Sequence, residues 1–155
     1  MADDLRSRIE EELKLAMRSQ DKPRMATLRL VLAAIKDRDI QARGTGRDDT
    51  PTEADLQALL MKMIKQRRES AEVYEKGGRP DLAAQERAEI AIIEEFLPRQ
   101  MTEEEIAAAV DEVIADTGAE SLKDMGKVMG ALKGRYAGRM DMAKASRLVK
   151  QKLGG

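Results

Sequence analysis

Residues 50–98 read TPTEADLQALLMKMIKQRRESAEVYEKGGRPDLAAQERAEIAIIEEFLP, and the punctuation of this stretch decides the fold. Thr50-Pro51-Thr52-Glu53 is read as a capping box with proline at the first helical position, a strong start signal. Apolar residues then recur at helical spacing as far as Lys76, where Gly77-Gly78 supplies the stop. A further helix opens near Pro80 and ends before Pro98, which has no amide hydrogen with which to continue it. Two long helices joined by so short a turn pack antiparallel.

The same signals recur on both sides. Towards the N-terminus, a helix from about Asp4 to Ser19 carries Leu5, Ile9, Leu13 and Ala16 on one stripe. Asp21 caps the next, with Pro23 tolerated in its first turn and Met25, Leu28, Val31, Leu32 and Ile35 on its apolar face. That helix dies in the polar, glycine-containing run from Arg43 to Asp49, read as an exposed loop. Towards the C-terminus, Thr102-Glu103-Glu104-Glu105 is a second capping box, for a helix ending near Thr117-Gly118. Ser121 with Asp124 caps a sixth helix, and Asp141 caps a seventh that ends at Leu153. No segment alternates as a strand does. The expected fold is all-α, in two helical domains: a four-helix N-terminal domain over 1–98 and a smaller three-helix domain over 99–155, parted at Leu97-Pro98-Arg99.

Composition narrows the chemistry. Aromatic residues are 2% of the 155-residue chain (Tyr74, Phe96 and Tyr136), so the core must be aliphatic and methionine-rich, which suits packed helices. There is no histidine and no cysteine, which removes disulfides, thiolate nucleophiles, imidazole bases and ordinary zinc sites. No cofactor or metal is expected, and an autonomous enzyme would have to work with carboxylates, lysine, tyrosine or serine. No run of apolar residues is long enough to span a membrane, and Met1-Ala2-Asp3-Asp4 does not begin like a signal peptide, so a cytoplasmic address is expected.

Charge is distributed unevenly. The chain carries a net −1, but residues 121–155 hold nine basic and two acidic residues, a net +7. Residues 99–120 hold one basic and seven acidic residues, a net −6. A local cationic module of this kind attracts phosphate backbones. On the last helix, Met142, Ala145, Val149 and Leu153 form one stripe, while Lys144, Arg147 and Lys150 gather opposite, with few acids expected near enough to neutralise them. Lys127, Lys133, Arg135, Arg139, Lys144, Arg147 and Lys150 are the candidate phosphate contacts. Gly126, Gly130, Gly134 and Gly138 permit close helix packing or expose backbone amides to a phosphate. Only Tyr136 could stack on a base there, so folded RNA recognised by backbone and shape fits better than a single strand. The competing reading is a merely solvated basic face.

Three further clusters draw the eye. Arg67 falls in the middle of the third helix's apolar arc, and Glu86 and Glu89 fall on that of the fourth. With the turn at Gly77-Gly78, Arg67 lies level with Glu89, so a structural ion pair fixing the register competes with a ligand-binding carboxylate–arginine cluster and with partial exposure, the long stems snorkelling to water. Lys62, Lys65, Arg67 and Arg68 are dense enough to suggest a second phosphate-facing patch, but Lys62, Lys65 and Arg68 lie among Glu69, Glu72 and Glu75 at intrahelical pairing distances, as expected of a solvated face. Glu103-Glu104-Glu105 superficially suggests a metal site, but consecutive helical positions point 100° apart and first-turn acids complement the helix dipole.

Taken in order, the landmarks resemble the GatB/YqeY family from end to end. They are Leu28-Arg29-Leu30 with Ala33-Ala34-Ile35-Lys36, Ile64-Lys65-Gln66-Arg67 with Glu69-Ser70, and Gly77-Gly78-Arg79 with Asp81-Leu82-Ala83. Glu89-Ile90, Glu94-Glu95-Phe96-Leu97-Pro98, Asp124-Met125-Gly126-Lys127-Val128-Met129 and Lys133-Gly134-Arg135 complete the set. The resemblance implies two helical domains, the second similar to the C-terminal tail of the B subunit of tRNA-dependent amidotransferases. It further implies tRNA as partner, together with an amidotransferase or an aminoacyl-tRNA synthetase. The label it brings is carbon–nitrogen ligase with glutamine as amido donor, yet this chain resembles only the appendage and not the activating or glutaminase parts. The reading is a stand-alone tRNA-binding accessory protein, against a ligase component or a helical protein–protein adaptor. Between Gly134 and Ala143, Arg135-Tyr136-Ala137-Gly138-Arg139-Met140-Asp141 stands where the family more usually has an Asp-Gly turn.

Overall fold

The computed structural model describes residues 4–44, 50–136 and 138–154, and among them every regular element is helical. The helices are α1 (Leu5–Ser19), α2 (Lys22–Gly44), α3 (Glu53–Lys76), α4 (Pro80–Glu94), α5 (Glu103–Thr117), α6 (Met125–Tyr136) and α7 (Met142–Gly154), with a single 3-10 turn, Leu122–Asp124, before α6. Contacts divide the chain into two compact units, Met1–Pro98 and Arg99–Gly155. The polar run expected after Arg43 lies, from residue 45 to 49, outside the described residues.

Unit 1 consists of two helical hairpins. Arg6 at the start of α1 meets Asp39 near the end of α2 at 2.6 Å, so these helices run antiparallel. Asp4 caps α1 by accepting the Ser7 amide. The predicted stripe faces inward: Leu5, Ile9 and Ala16 are buried, and Leu13 packs against the same cluster. That cluster takes Leu28, Val31 and Ile35 from α2, Leu56, Leu60, Met63 and Ile64 from α3, Ile90 and Ile93 from α4, and Phe96 beyond it. Burial of these aliphatic groups is the dominant favourable term. α1 ends on Gln20 at φ 60°, a left-handed cap occupied by a residue with a Cβ.

The start of α3 differs from the sequence expectation by two residues. Thr52, not Thr50, is the N-cap: its hydroxyl accepts the Asp55 amide, and the Asp55 carboxylate accepts the Thr52 amide. Asp55 completes the box, which leaves Pro51 before the helix and buried. Glu53 is thereby freed, and its carboxylate accepts the Leu5 amide at 3.2 Å, closing the N-terminus of α1 from 48 residues away. At the other end of α3, Gly78, at φ 75°, takes the left-handed position, while Gly77 stays at φ −84°. The Arg79 amide reaches back to Tyr74 O and that of Gly78 to Glu75 O, the paired bonds of a Schellman stop. The expected intrahelical partners of Lys62, Lys65 and Arg68 are otherwise engaged in one case: Glu75 pairs with Arg87 of α4 at 2.9 Å.

Unit 2 has its own core of Ile106, Ala109, Val110, Val113, Val128, Leu132, Met140, Ala145 and Val149. Thr102 and Glu105 form the expected capping box, and Gly118 at φ 67° ends α5. Ser121 caps the short 3-10 turn rather than α6 itself, and the Asp124 carboxylate accepts the Glu120 amide. Asp141 accepts the amides of Ala143 and Lys144 and so starts α7. Gly138 and Arg139 in the atypical turn before it are pinned to the segment ahead of α5. Gly138 O accepts the Gln100 side chain at 2.6 Å, and Arg139 O accepts the Met101 amide at 2.8 Å.

Candidate nucleic-acid interface

The seven candidate cations all belong to unit 2, on α6, α7 and the turn between them. Their surroundings are not uniform, because α5 brings its acids alongside. Lys144 donates to Glu103 at 3.1 Å, and Lys152 donates to Asp111. Both pairs are separated by 41 residues, a constant offset that sets α5 and α7 side by side and parallel. Arg135 pairs with Asp116 at 2.8 Å, and Arg99 pairs with Glu105 at 2.8 Å. Arg139 donates to the Arg99 carbonyl. Of the three last-helix cations expected to lie away from acids, Lys144 meets Glu103, while Arg147 and Lys150 form no ion pair among the described residues. The −6 segment folds against the +7 segment, and ion pairs at Arg135, Lys144 and Lys152 cancel part of its charge.

What survives that cancellation is a smaller set. Lys127, Lys133, Arg147 and Lys150 are exposed, and among the described residues none of them ion-pairs with a carboxylate. On α6, at 100° per residue, Gly126, Gly130 and Gly134 form the outward row that Lys127 and Lys133 flank. A Cβ added at any of these three glycines would meet nothing within 4 Å. Close helix packing does not account for them, since the helix backbone is open to solvent along that row.

Arg67 and Glu89 meet in unit 1, Nε to Oε2 at 3.0 Å, with side chains only 15% and 19% exposed. The guanidinium also donates to Met63 O at 3.3 Å. Glu86, one turn away and half-buried, is not brought into this pair. Among the described residues no three potential metal-binding side chains gather. Glu103 and Glu105 are spent on Lys144, Arg99 and the helix cap. Carboxylates that the fold perturbs move downward: the Thr102 amide, then Arg99, holds Glu105 low, and the Glu120 and Ser121 amides do the same for Asp124. A general acid needs the opposite shift.

Sequence reasoning missed Glu53 as the cap of α1 and α5 as the counter-charge of α6 and α7. Net charge by segment held a signal for the second, since −6 directly precedes +7.

Fold and site together define a small all-helical protein that carries exposed cations on α6 and α7 beside the acids of α5. A family model described as Yqey-like protein matches residues 6–153, and the chain belongs to that family. Among curated relatives, "Altered inheritance of mitochondria protein 41, mitochondrial" of Lachancea thermotolerans is 35% identical over 110 residues, 70% of this chain and 57% of that protein. Its namesake in Pyrenophora tritici-repentis is 32% identical over 136 residues, 83% of this chain and 71% of that protein. The namesake in Eremothecium gossypii is 32% identical, and the match covers 58% of its length, so this chain spans little more than half of some of the relatives it matches. All three are mitochondrial by name, and this overturns the cytoplasmic address expected above. The physical reason is that no described helix is long and apolar enough to cross a membrane, which excludes such a span but selects no compartment.

Proposed function

We propose that the protein is a non-catalytic accessory protein that binds folded RNA, tRNA foremost, through unit 2. The observation that carries the proposal is the set of four exposed candidate cations, Lys127, Lys133, Arg147 and Lys150, that form no ion pair among the described residues, whereas Arg135 and Lys144 pair with acids of α5. The open glycine row between Lys127 and Lys133 adds to it, because a phosphate can approach that backbone without meeting a side chain. The similarity of the tail to that of the amidotransferase B subunit favours tRNA over other folded RNA. Arg135, Arg139 and Lys144, tied to Asp116, the Arg99 carbonyl and Glu103, are second-rank contacts that must first exchange a protein partner for a phosphate.

Titration of a tRNA and a single-stranded oligomer of equal length, each at two salt concentrations, tests the proposal. Four contacts give a slope of log affinity on log salt near about −3, at roughly −0.7 to −0.9 per phosphate. The variant with Lys127, Lys133, Arg147 and Lys150 all changed to alanine flattens the slope and weakens unrelated folded RNAs about equally, since phosphate contacts position without specifying. A parent protein that ignores tRNA at low salt, or a variant that binds as the parent does, overturns it.

A further inference from the structure

The parallel packing of α5 and α7 leaves a groove of about 1000 Å³ between them, wholly within unit 2. Its floor is apolar, built from Ile106 and Ala107 of α5 and Leu148 of α7, with Leu122 standing at the Gly154 end. Leu122 is 48% exposed, and it is the one large apolar side chain among the described residues of unit 2 that is so exposed. The walls have opposite charge: Glu103 and Glu104 lie along α5, and Arg147 and Lys150 lie along α7. Lys144 already engages Glu103, so the unspent charges are Glu104 on one wall and Arg147 with Lys150 on the other.

We propose that this groove docks an amphipathic helix of a partner protein, whose apolar stripe covers Leu122, Ala107 and Leu148 while acidic residues on one flank meet Arg147 and Lys150 and basic residues on the other meet Glu104. The bipolar rim selects this occupant. A phosphate backbone can meet Arg147 and Lys150 but leaves the apolar floor and Glu104 unanswered, whereas a helix with an i, i+4, i+7 stripe and mixed flanks satisfies all three surfaces. The α7 side, from Lys144 to Gly154, is about 15 Å long, which accepts roughly three helical turns. The groove shares Arg147 and Lys150 with the RNA reading, whereas Lys127 and Lys133 do not line it, so Lys127→Ala with Lys133→Ala is expected to weaken RNA and leave the peptide unaffected.

The test uses the full chain and three fluorescent synthetic peptides of about five helical turns. All share one leucine stripe; one has a glutamate flank and a lysine flank, one has both flanks glutamate, and one has both flanks lysine. Anisotropy titrations at low salt are expected to show the mixed peptide binding at least tenfold tighter than either uniform peptide. Leu122→Glu, at an exposed position, is expected to weaken it at least tenfold without changing the melting curve, and Leu122→Ser serves if the glutamate variant loses helicity. The double variant Arg147→Glu, Lys150→Glu makes both walls acidic and moves the preference to the peptide with lysine flanks. Absence of saturable binding, equal affinity for all three peptides, or indifference to both Leu122 variants overturns the proposal. So does tRNA binding that Leu122→Glu weakens as much as it weakens the peptide, which makes the apolar floor part of an RNA surface. A concentration-dependent dimer that Leu122→Glu dissociates also overturns it, since the occupant is then a second copy.

Discussion

The Arg67 guanidinium donates from Nε to Glu89 Oε2 at 3.0 Å across the α3–α4 hairpin, and from its other arm to the Met63 carbonyl at 3.3 Å. Both side chains interrupt arcs that are otherwise apolar, and their pairing sets which turn of α3 faces which turn of α4. Removing one partner leaves the other poorly hydrated and unanswered. Arg67→Met or Glu89→Leu alone is expected to cost about 1–3 kcal/mol in urea unfolding. The double replacement should recover most of that loss, because an apolar pair of similar volume avoids the desolvation cost. Additive losses in the double variant would show that the two side chains act separately.

Two left-handed caps predict changes of opposite sign. Gln20 sits at φ 60° with a Cβ that this region disfavours, so Gln20→Gly should raise stability by up to about 1 kcal/mol. Gly118 sits at φ 67°, and Gly118→Ala should lower stability by a similar amount. Thermal unfolding followed by circular dichroism measures both.

Gly130 lies within α6 with open space where a Cβ would go. Gly130→Ala should therefore stabilise the helix by about 0.5–1 kcal/mol. If the same change weakens tRNA binding while raising the melting temperature, the glycine row serves the interface at a cost in stability.

The dependence on pH follows from the carboxylates. With no histidine in the chain, no side chain of ordinary pKa titrates between about pH 5 and 8, and stability should be flat there. The Arg6 hydrogen bond holds Asp39 below the usual carboxylate range, the Ser7 bonds lower Asp4, and the Thr102 amide lowers Glu105. A depressed folded-state pKa contributes stability that is complete above the unfolded value and lost as pH falls through the folded one. Melting temperature should thus fall below about pH 4, and Asp39→Asn should make that fall shallower.

Residues 1–98 hold an apolar core of their own. A chain ending at Pro98 is expected to stay helical and to melt cooperatively. An unfolded truncation beside a full-length protein that melts as one unit would make the chain a single domain.

The helices were legible in the sequence because their signals are local. Thr102 and Glu105 are three residues apart, Gly118 needs no distant partner to turn left-handed, and an apolar stripe such as Leu5, Ile9 and Ala16 is a matter of period alone. The height of Arg67 opposite Glu89 was also legible, since a tight turn between two regular helices fixes it by counting. Even a local signal misleads when two residues compete for one role. Thr50 and Thr52 both offer a hydroxyl, and Asp55 decides for Thr52 by completing its box.

Tertiary structure alone decided which charges are free. Lys144 meets Glu103 and Lys152 meets Asp111 only because α7 lies parallel to α5, a choice made by the burial of Val110, Ala145 and Val149 rather than by the charges themselves. The same packing opened the groove beneath Leu122, and a comparable long-range contact placed Glu53 on the amide of Leu5. Capping and periodicity act within one or two turns and are written in neighbouring residues. Electrostatic partnership acts through space, and the distance between charges does not exist until the apolar faces have closed.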